Sequence, residues 1–498
     1  MLTILALLPL VGGVVVWFLR GSTARYVGLA IALVTFVYSI IVAAVHLGGA
    51  DLSEHQVWIK AFGAYYALGL DGMGLLMVLL TTLLVPVVLL AEQRTETDGS
   101  RWGGQVWTAL VLILESLSLY VFMATDVLLF YIFFEATLIP MYFLIAGWGG
   151  PKRAKAAVKF LLFSLAGGLV LLFSVIGLGV SFANQGAPSY LIEDLVKLNV
   201  SPNTQMLLFL GFFIAFAIKA PMFPVHTWLP DTAEQATPGT STLLVGILDK
   251  IGTFGMIRFC LGLFPDASRQ ATPVIVVLAL ISILYGALAA IGQKNMLRLV
   301  AFTSVSHFGF MVLGIFALTT QSISGTIFYM VNHGFSTAVL FLVVGYLAKR
   351  RGSVEIPAFG GVFQVAPVMA GMLLLGGLAS LSLPGMGSFV GEFLVLAGTW
   401  SRYPIIAAVG TLGTVLAALY ILIMYQRTMT GPVTDQTREH FTGDATWRER
   451  LAVAPVILAL LVLGFFPKPV LDITDQVAKQ AMTTLNVSDP APIVGQGR

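Results

Sequence analysis

The sequence predicts an all-α polytopic membrane protein: about 14 transmembrane helices, two inverted five-helix repeats, and breaks in helices 7 and 12. Three observations predict it. Of 498 residues, 58% are hydrophobic and only 10% are charged, where soluble domains run at about 25% charged. Apolar runs of about 20 residues, the length that crosses a bilayer, recur along the whole chain. One run, FFIAFAIKAPMFPVHTWLPDTAEQATPG at 212–239, carries Lys219 and then breaks at Pro221 and Pro224. A lysine in a span costs about 2.5–3.5 kcal/mol on insertion scales. Irregular backbone at that depth is tolerated where it is buried in protein or lines a polar cavity. Charge and break together mark a candidate functional site. The competing reading is a lysine snorkelling from a helix end.

Taken in order, the candidate spans lie near 1–19, 26–47, 67–91, 104–123, 126–147, 158–182, 205–220, 237–263, 272–292, 297–317, 321–347, 364–383 with 388–400, 404–426 and 451–466. The first lacks a basic leader region and reads as a span rather than a cleaved signal. Of 27 Lys and Arg, 17 fall in loops after odd-numbered spans and 7 on the other side; Lys219, Lys250 and Arg258 lie within spans. Basic loops stay in the cytoplasm, so both termini are expected outside. The tail PKPVLDITDQVAKQAMTTL is expected to form a short interfacial helix.

Spans 4–8 and 9–13 form two blocks of five. Each has a break at a matching place, near Pro221 and at Pro384-Gly385. An odd span number turns the second block upside down, and inverted repeats with broken helices point to a transporter's ion site. The chain then divides into 1–103 (three helices), 104–263 (first repeat), 264–430 (inverted repeat) and 431–498 (last helix and tail).

Composition excludes several functions. A net charge of +3, dispersed along the chain, argues against nucleic acid. One cysteine, Cys260, excludes an internal disulfide and any cluster held by this chain's cysteines alone. No nucleotide-binding glycine motif occurs, so electron carriers, if involved, belong to other chains.

The charges inside spans are few. Glu135 lies well within span five, Lys219 before the break of span seven, Lys250 at the centre of span eight, and Glu392 after the break of span twelve. Glu115 and Asp249 are further acids. Burial disfavours the charged form of an ionisable group, and a nearby opposite charge favours it. A lysine under both influences loads and releases a proton when its carboxylate moves. A buried Glu–Lys pair that only ties helices together is the rival reading. Glu115 has no obvious partner, and both readings stay open for it. Asp249 points about 100° away from Lys250 on an α-helix, toward another cavity wall or a neighbouring chain. His226, His307 and His333 suit proton relay, or are hydrogen-bonded packing residues. No acid or cysteine stands at helical spacing to them, so no metal site is expected. Thr303, Ser304 and Ser306 carry water or bond their own backbone. Arg258 is expected to snorkel.

These residues carry a resemblance. FYIFFEATLIPMYFLIAGWGG around Glu135 and FAIKAPMFPVHTWLPDTAEQATPGTSTLL around Lys219 are similar to the fifth and broken seventh spans of the antiporter-like subunits of respiratory complex I. QKNMLRLVAFTSVSHFGFMVLG and PGMGSFVGEF continue the likeness, which covers roughly residues 65–430. Most such subunits carry lysine where this chain has Glu392; glutamate there is similar to the middle member of the set, and the C-terminal region lacks the long lateral helix of another. The resemblance implies a proton-translocating membrane-arm subunit of NADH:quinone oxidoreductase. Glu135 would modulate the pumping Lys219, Lys250 would link to the cytoplasmic side, and Glu392 would be the last protonatable group before release. His226, His307 and His333 would line the polar axis. An acid at Asp249 departs from the family, where the position is usually apolar. The chain itself would bind no cofactor; NADH, flavin, iron–sulfur clusters and quinone would sit in other subunits. Its partners would be other membrane-arm subunits, with antiporter-like neighbours on both sides, and the lipid bilayer. The expected location is a bacterial plasma membrane. The alternative is a subunit of a multisubunit Na⁺/H⁺ antiporter, against which Glu392 argues.

Overall fold

A computed structural model describes residues 1–92 and 102–491; Arg94, Arg101 and Arg498 of the basic-loop tally lie outside the described residues. Among the described residues, ten helices are long and apolar enough to cross a membrane. There are eleven if Trp447–Phe465 and Lys468–Leu485, bent by 74°, count together. The chain forms two compact units, Met1–Ala220 with Ile247–Ala271, and Pro221–Gly246 with Thr272–Arg498.

In the first unit, helix Arg153–Ala183 is apolar on every side beyond its basic first turns. Leu162, Leu169, Phe173, Ile176 and Val180 face outward, while Phe160, Leu171, Val175 and Leu178 are buried. That is the pattern of a helix between protein and hydrocarbon. The fifth expected span is two pieces, Val127–Ala136 and Leu138–Gly147. Pro140 cannot donate to the carbonyl of Ala136 four residues back, and Thr137 hydrogen-bonds Phe134 O through its hydroxyl at 2.7 Å. Asp126 caps the first piece, accepting from Leu129 N at 2.9 Å, and its other oxygen accepts from Tyr65 N at 2.9 Å. Tyr65 belongs to a two-stranded hairpin, Glu54–Ile59 with Ala64–Leu68, registered Glu54 against Leu68. No sequence expectation covers this hairpin, because short strands beside long apolar runs carry little periodicity of their own.

Helix Pro202–Lys219 ends on Lys219, with Ala220 N still bonded to Phe216 O at 2.7 Å. Pro221 and Pro224 prevent continuation, and helix resumes at Trp228–Gln235. The eighth span is not the uniform α-helix expected. Its order is α Pro238–Leu243, π Leu244–Leu248, α Lys250–Gly255 and π Met256–Leu261. Such wide turns cluster at functional sites, and here they bracket Lys250.

In the second unit, helix Thr320–Arg351 is central. It packs against Gly387–Trp400, Met296–Phe316, Pro367–Ser380, Trp447–Phe465 and Lys468–Leu485. The twelfth expected span breaks where Pro384-Gly385 predicts, between Pro367–Ser380 and Gly387–Trp400. At Gly391 an added Cβ would stand 2.6 Å from Tyr329 Cβ, so the glycine is what lets Gly387–Trp400 close onto Thr320–Arg351. The tail does form a helix, Lys468–Leu485, held to the long helix through Thr474 and Ser324 at 2.8 Å.

Candidate functional site

Four of the predicted residues gather in the first unit. Lys219 is 1% exposed. Its Nζ has no hydrogen-bond partner among the described residues and lies 5.4 Å from the Phe134 ring centre and 5.6 Å from that of Phe160. Aromatic faces stabilise a cation only by about 0.5–2 kcal/mol, against several for a buried ion. The rest comes from carboxylates: Asp249 and Glu135 are both within electrostatic reach of Lys219. Asp249 is buried, and the fields of Lys250 and Lys219 both act on it. Neither Asp249 oxygen is hydrogen-bonded among the described residues. Two acids and two lysines make a group that is neutral when all four ionise.

Glu135 is held by a gap. Its half-buried side chain reaches helix Arg153–Ala183 at Gly168, where an added Cβ would overlap the carboxylate. One carboxylate oxygen, Oε1, is buried without a hydrogen-bond partner among the described residues. Glu115, on helix Gly104–Met123, is fully buried with neither oxygen hydrogen-bonded among the described residues, and it stands outside the cluster. Arg258 pairs with Asp71, the capping residue of helix Gly72–Ala91, at 2.8 Å and covers the Phe254 ring.

A second polar group lies in the second unit, on helices otherwise packed with apolar side chains. Glu392 Oε2 accepts from Ser382 at 2.5 Å and from Tyr329 Oη at 3.0 Å, and its Oε1 accepts from Thr414. Tyr329 Oη also bonds His307 Nδ1. His307 Nε2 faces Ser380 at 3.4 Å and Tyr420 at 3.5 Å, and the His333 ring lies 5.2 Å away. Sequence reasoning missed Tyr329, Ser382, Thr414, Ser380 and Tyr420. For Tyr329 a signal existed: it stands four residues before His333 on one helix face. Thr303 and Ser304 bond the Val300 carbonyl of their own helix, whereas Ser306 bonds Ile283 O of the neighbouring helix at 2.9 Å. His226 sits apart from this group, in the break, with Tyr285 4.9 Å from its ring. Nearby, Arg298 clamps the resumed helix through Asp231 at 2.6 Å and Glu234 at 2.9 Å. Among the described residues, no three His, Cys, Asp or Glu are arranged to hold a metal.

Residues 124–417 match the family described as NADH:quinone oxidoreductase/Mrp antiporter, TM. The chain belongs to this family. Within the NADH:quinone oxidoreductase/Mrp antiporter family, it is 47% identical to NADH-quinone oxidoreductase subunit M of Mycobacterium tuberculosis (strain ATCC 25618 / H37Rv), over 99% of this chain and 96% of the relative. It is 36% identical to subunit M of Escherichia coli (strain K12), over 94% and 95%. A chain of respiratory complex I from Thermus thermophilus superposes with a TM-score of 0.89 at 32% identity, over 97% of this chain and all (100%) of that one. A chain of the Mrp complex from Dietzia sp. DQ12-45-1b shares the fold, with a TM-score of 0.83 at 19% identity, over 97% and 99%. The family resemblance read from the motifs around Glu135 and Lys219 therefore holds for the chain as a whole.

Proposed function

We propose that this chain is a proton-translocating membrane-arm subunit of a proton-pumping NADH:quinone oxidoreductase. It moves protons through buried acids, lysines and histidines while redox chemistry proceeds in other subunits. The observation that carries this reading is the neutral cluster of Glu135, Lys219, Asp249 and Lys250 set at the break after Lys219. Moving one elementary charge against 100 mV costs about 2.3 kcal/mol. Shifting one carboxylate relative to a buried ammonium changes their interaction by more than that, since about 4 kcal/mol acts between unit charges 4 Å apart at an effective dielectric of 20.

In this reading Glu135 modulates Lys219, Lys250 links it toward the cytoplasm, and Glu392 is the last group before release outside. His226, His307 and His333 relay between them. NADH, flavin, iron–sulfur clusters and quinone sit in other subunits, and membrane-arm subunits flank this chain in a bacterial plasma membrane with both its termini outside. Fourteen spans result when the short apolar helix Leu2–Phe18, the broken pairs and the π-interrupted helix each count as one. Two breaks at matching places, after Lys219 and before Gly387, support the inverted repeats over 104–263 and 264–430. Cation/proton antiport is the rival reading.

The test is Glu135→Gln in inverted membrane vesicles, with assembly followed on a native gel. We expect NADH oxidation and proton uptake to fall together by about tenfold or more, less than the roughly 10²–10⁴-fold of a lost acid–base group, because Glu135 acts through Lys219. Unchanged NADH oxidation with loss of Na⁺/H⁺ exchange would establish antiport instead. Both activities unchanged would reduce the cluster to a structural one.

Gly168→Ala probes the same carboxylate without touching its charge. The new methyl occupies the carboxylate's place, so Glu135 must swing aside. Expected is a several-fold loss of coupled turnover, short of the roughly 10²-fold that an ångström's misplacement can cost. Wild-type turnover in an assembled Gly168→Ala complex would mean that the position of Glu135 is not critical.

A further inference from the structure

We propose that Tyr329 is a proton-relay residue, its hydroxyl being the bridge through which His307 and Glu392 exchange a proton. The proposal rests on the proton-pumping reading above and adds a residue and a route to it.

Three observations carry it. First, Tyr329 Oη meets both groups at once: it donates to Glu392 Oε2 at 3.0 Å and bonds His307 Nδ1 on its other side. A phenol has one proton to give and lone pairs to accept with, so both contacts are made in a single arrangement. Second, Tyr329 is a direct bridge, one hydroxyl between the imidazole and the carboxylate. Among the described residues, the other partners of Glu392 are the Ser382 and Thr414 hydroxyls, and neither of these bonds His307. Third, the geometry is rigid. Tyr329 is 1% exposed, and its backbone is pressed against Gly391, one residue before Glu392 on the facing helix. His307 and Tyr329 lie on the helices Met296–Phe316 and Thr320–Arg351, whose apolar windows are entirely buried.

The step balances without any further reactant. With His307 as imidazolium, Nδ1–H passes its proton to Tyr329 Oη as the Tyr329 O–H proton passes to Glu392 Oε2. Afterwards His307 is neutral and protonated on Nε2, Tyr329 again carries one proton, and Glu392 is a neutral acid. Tyr329 is never charged. Release of the proton from Glu392, rotation of the Tyr329 hydroxyl and reprotonation of His307 on Nδ1 together reset the chain. The reverse sequence runs through the same atoms.

The experiment compares three variants in the assembled complex in inverted vesicles: Tyr329→Phe, Ser382→Ala and Glu392→Gln. Tyr329→Phe keeps the ring that packs on Gly391 and removes only the bridge. Ser382→Ala takes a hydrogen bond from the same carboxylate without cutting the route to His307. Two readouts are taken, proton uptake coupled to NADH oxidation and the infrared carbonyl band that disappears in Glu392→Gln. The expected result is a loss of about tenfold or more in uptake for Tyr329→Phe, with the loss for Ser382→Ala several-fold smaller. Both should displace the carbonyl band, because both remove a bond to it.

Equal losses in Tyr329→Phe and Ser382→Ala would overturn the relay, since the hydroxyl would then matter only as a hydrogen bond. So would wild-type uptake in Tyr329→Phe with uptake lost in Glu392→Gln; that outcome leaves the pumping reading standing. Wild-type uptake in Glu392→Gln would instead strike at the role of Glu392 itself, and the relay would fall with it.

Discussion

Replacing Lys219 with alanine is expected to leave an assembled complex whose proton uptake and NADH oxidation both fall by roughly 10²-fold or more, within the range for loss of an acid–base group. The reason is electrostatic as well as chemical. Glu135 and Asp249 both lie within reach of the Lys219 ammonium. Removing it leaves Glu135 without that cation and Asp249 with Lys250 alone, and the cluster no longer balances. It also leaves no group before the break that can take a proton and give it up. Lys219→Met separates packing from charge, because it fills the space beside Phe134 and Phe160 without an ionisable group; it should be as inactive as the alanine variant. Lys219→Arg separates charge from proton exchange, since guanidinium keeps its proton at any working pH. An arginine that restored more than about half of the uptake would assign Lys219 a purely structural ion pair. An assembled Lys219→Arg complex without restored uptake is the expected outcome, measured in inverted vesicles beside a native gel.

What was legible in the sequence follows from which groups are costly in a membrane. Lys219, Lys250, Glu135, Asp249 and Glu392 stand out because charge is rare in spans, and the structure buries or half-buries all five. The break after Lys219 was legible because Pro221 and Pro224 remove donors at known places. Hydroxyl groups carry no such signal. Ser, Thr and Tyr sit in helices at little cost by bonding their own backbone, as Thr303 and Ser304 do. Nothing local distinguishes those from Thr414 or Tyr329, which reach Glu392 across 22 and 63 residues of sequence. The same limit explains Arg258. Its neighbour Asp71 lies 187 positions away, so the local sequence offered only snorkelling. The π-turns on either side of Lys250 were hidden because hydrophobic periodicity measures which face is apolar, and this helix is buried on every face.

Arg350 illustrates how a residue read only as a loop cation comes to have a large effect. Its guanidinium forms a two-pronged pair with Glu449, at 2.9 and 2.8 Å, with side chains only 16% and 5% exposed. It also donates to the Asp444 carbonyl at 3.0 Å. Asp444 in turn accepts from Val368 N at 2.7 Å and Met369 N at 3.0 Å, the first turn of Pro367–Ser380. Glu449 meanwhile completes a capping box with Thr446. One arginine thus ties together the ends of three helices, including the half of the broken span that carries Ser380. Arg350→Ala leaves Glu449 buried with hydrogen bonds from Thr446 but no cation. The expected cost is about 3 kcal/mol, the lower end for breaking a buried pair, read as a fall in the thermal midpoint of the purified complex. Arg350→Lys should recover less than half of it, because an ammonium does not reproduce the fork. The decisive comparison is with Glu449→Ala and the double variant. If the pair acts as a unit, the double variant is no worse than either single one by more than a small margin. Strict additivity, with a coupling under about 0.5 kcal/mol, would mean that the two residues stabilise their helices separately.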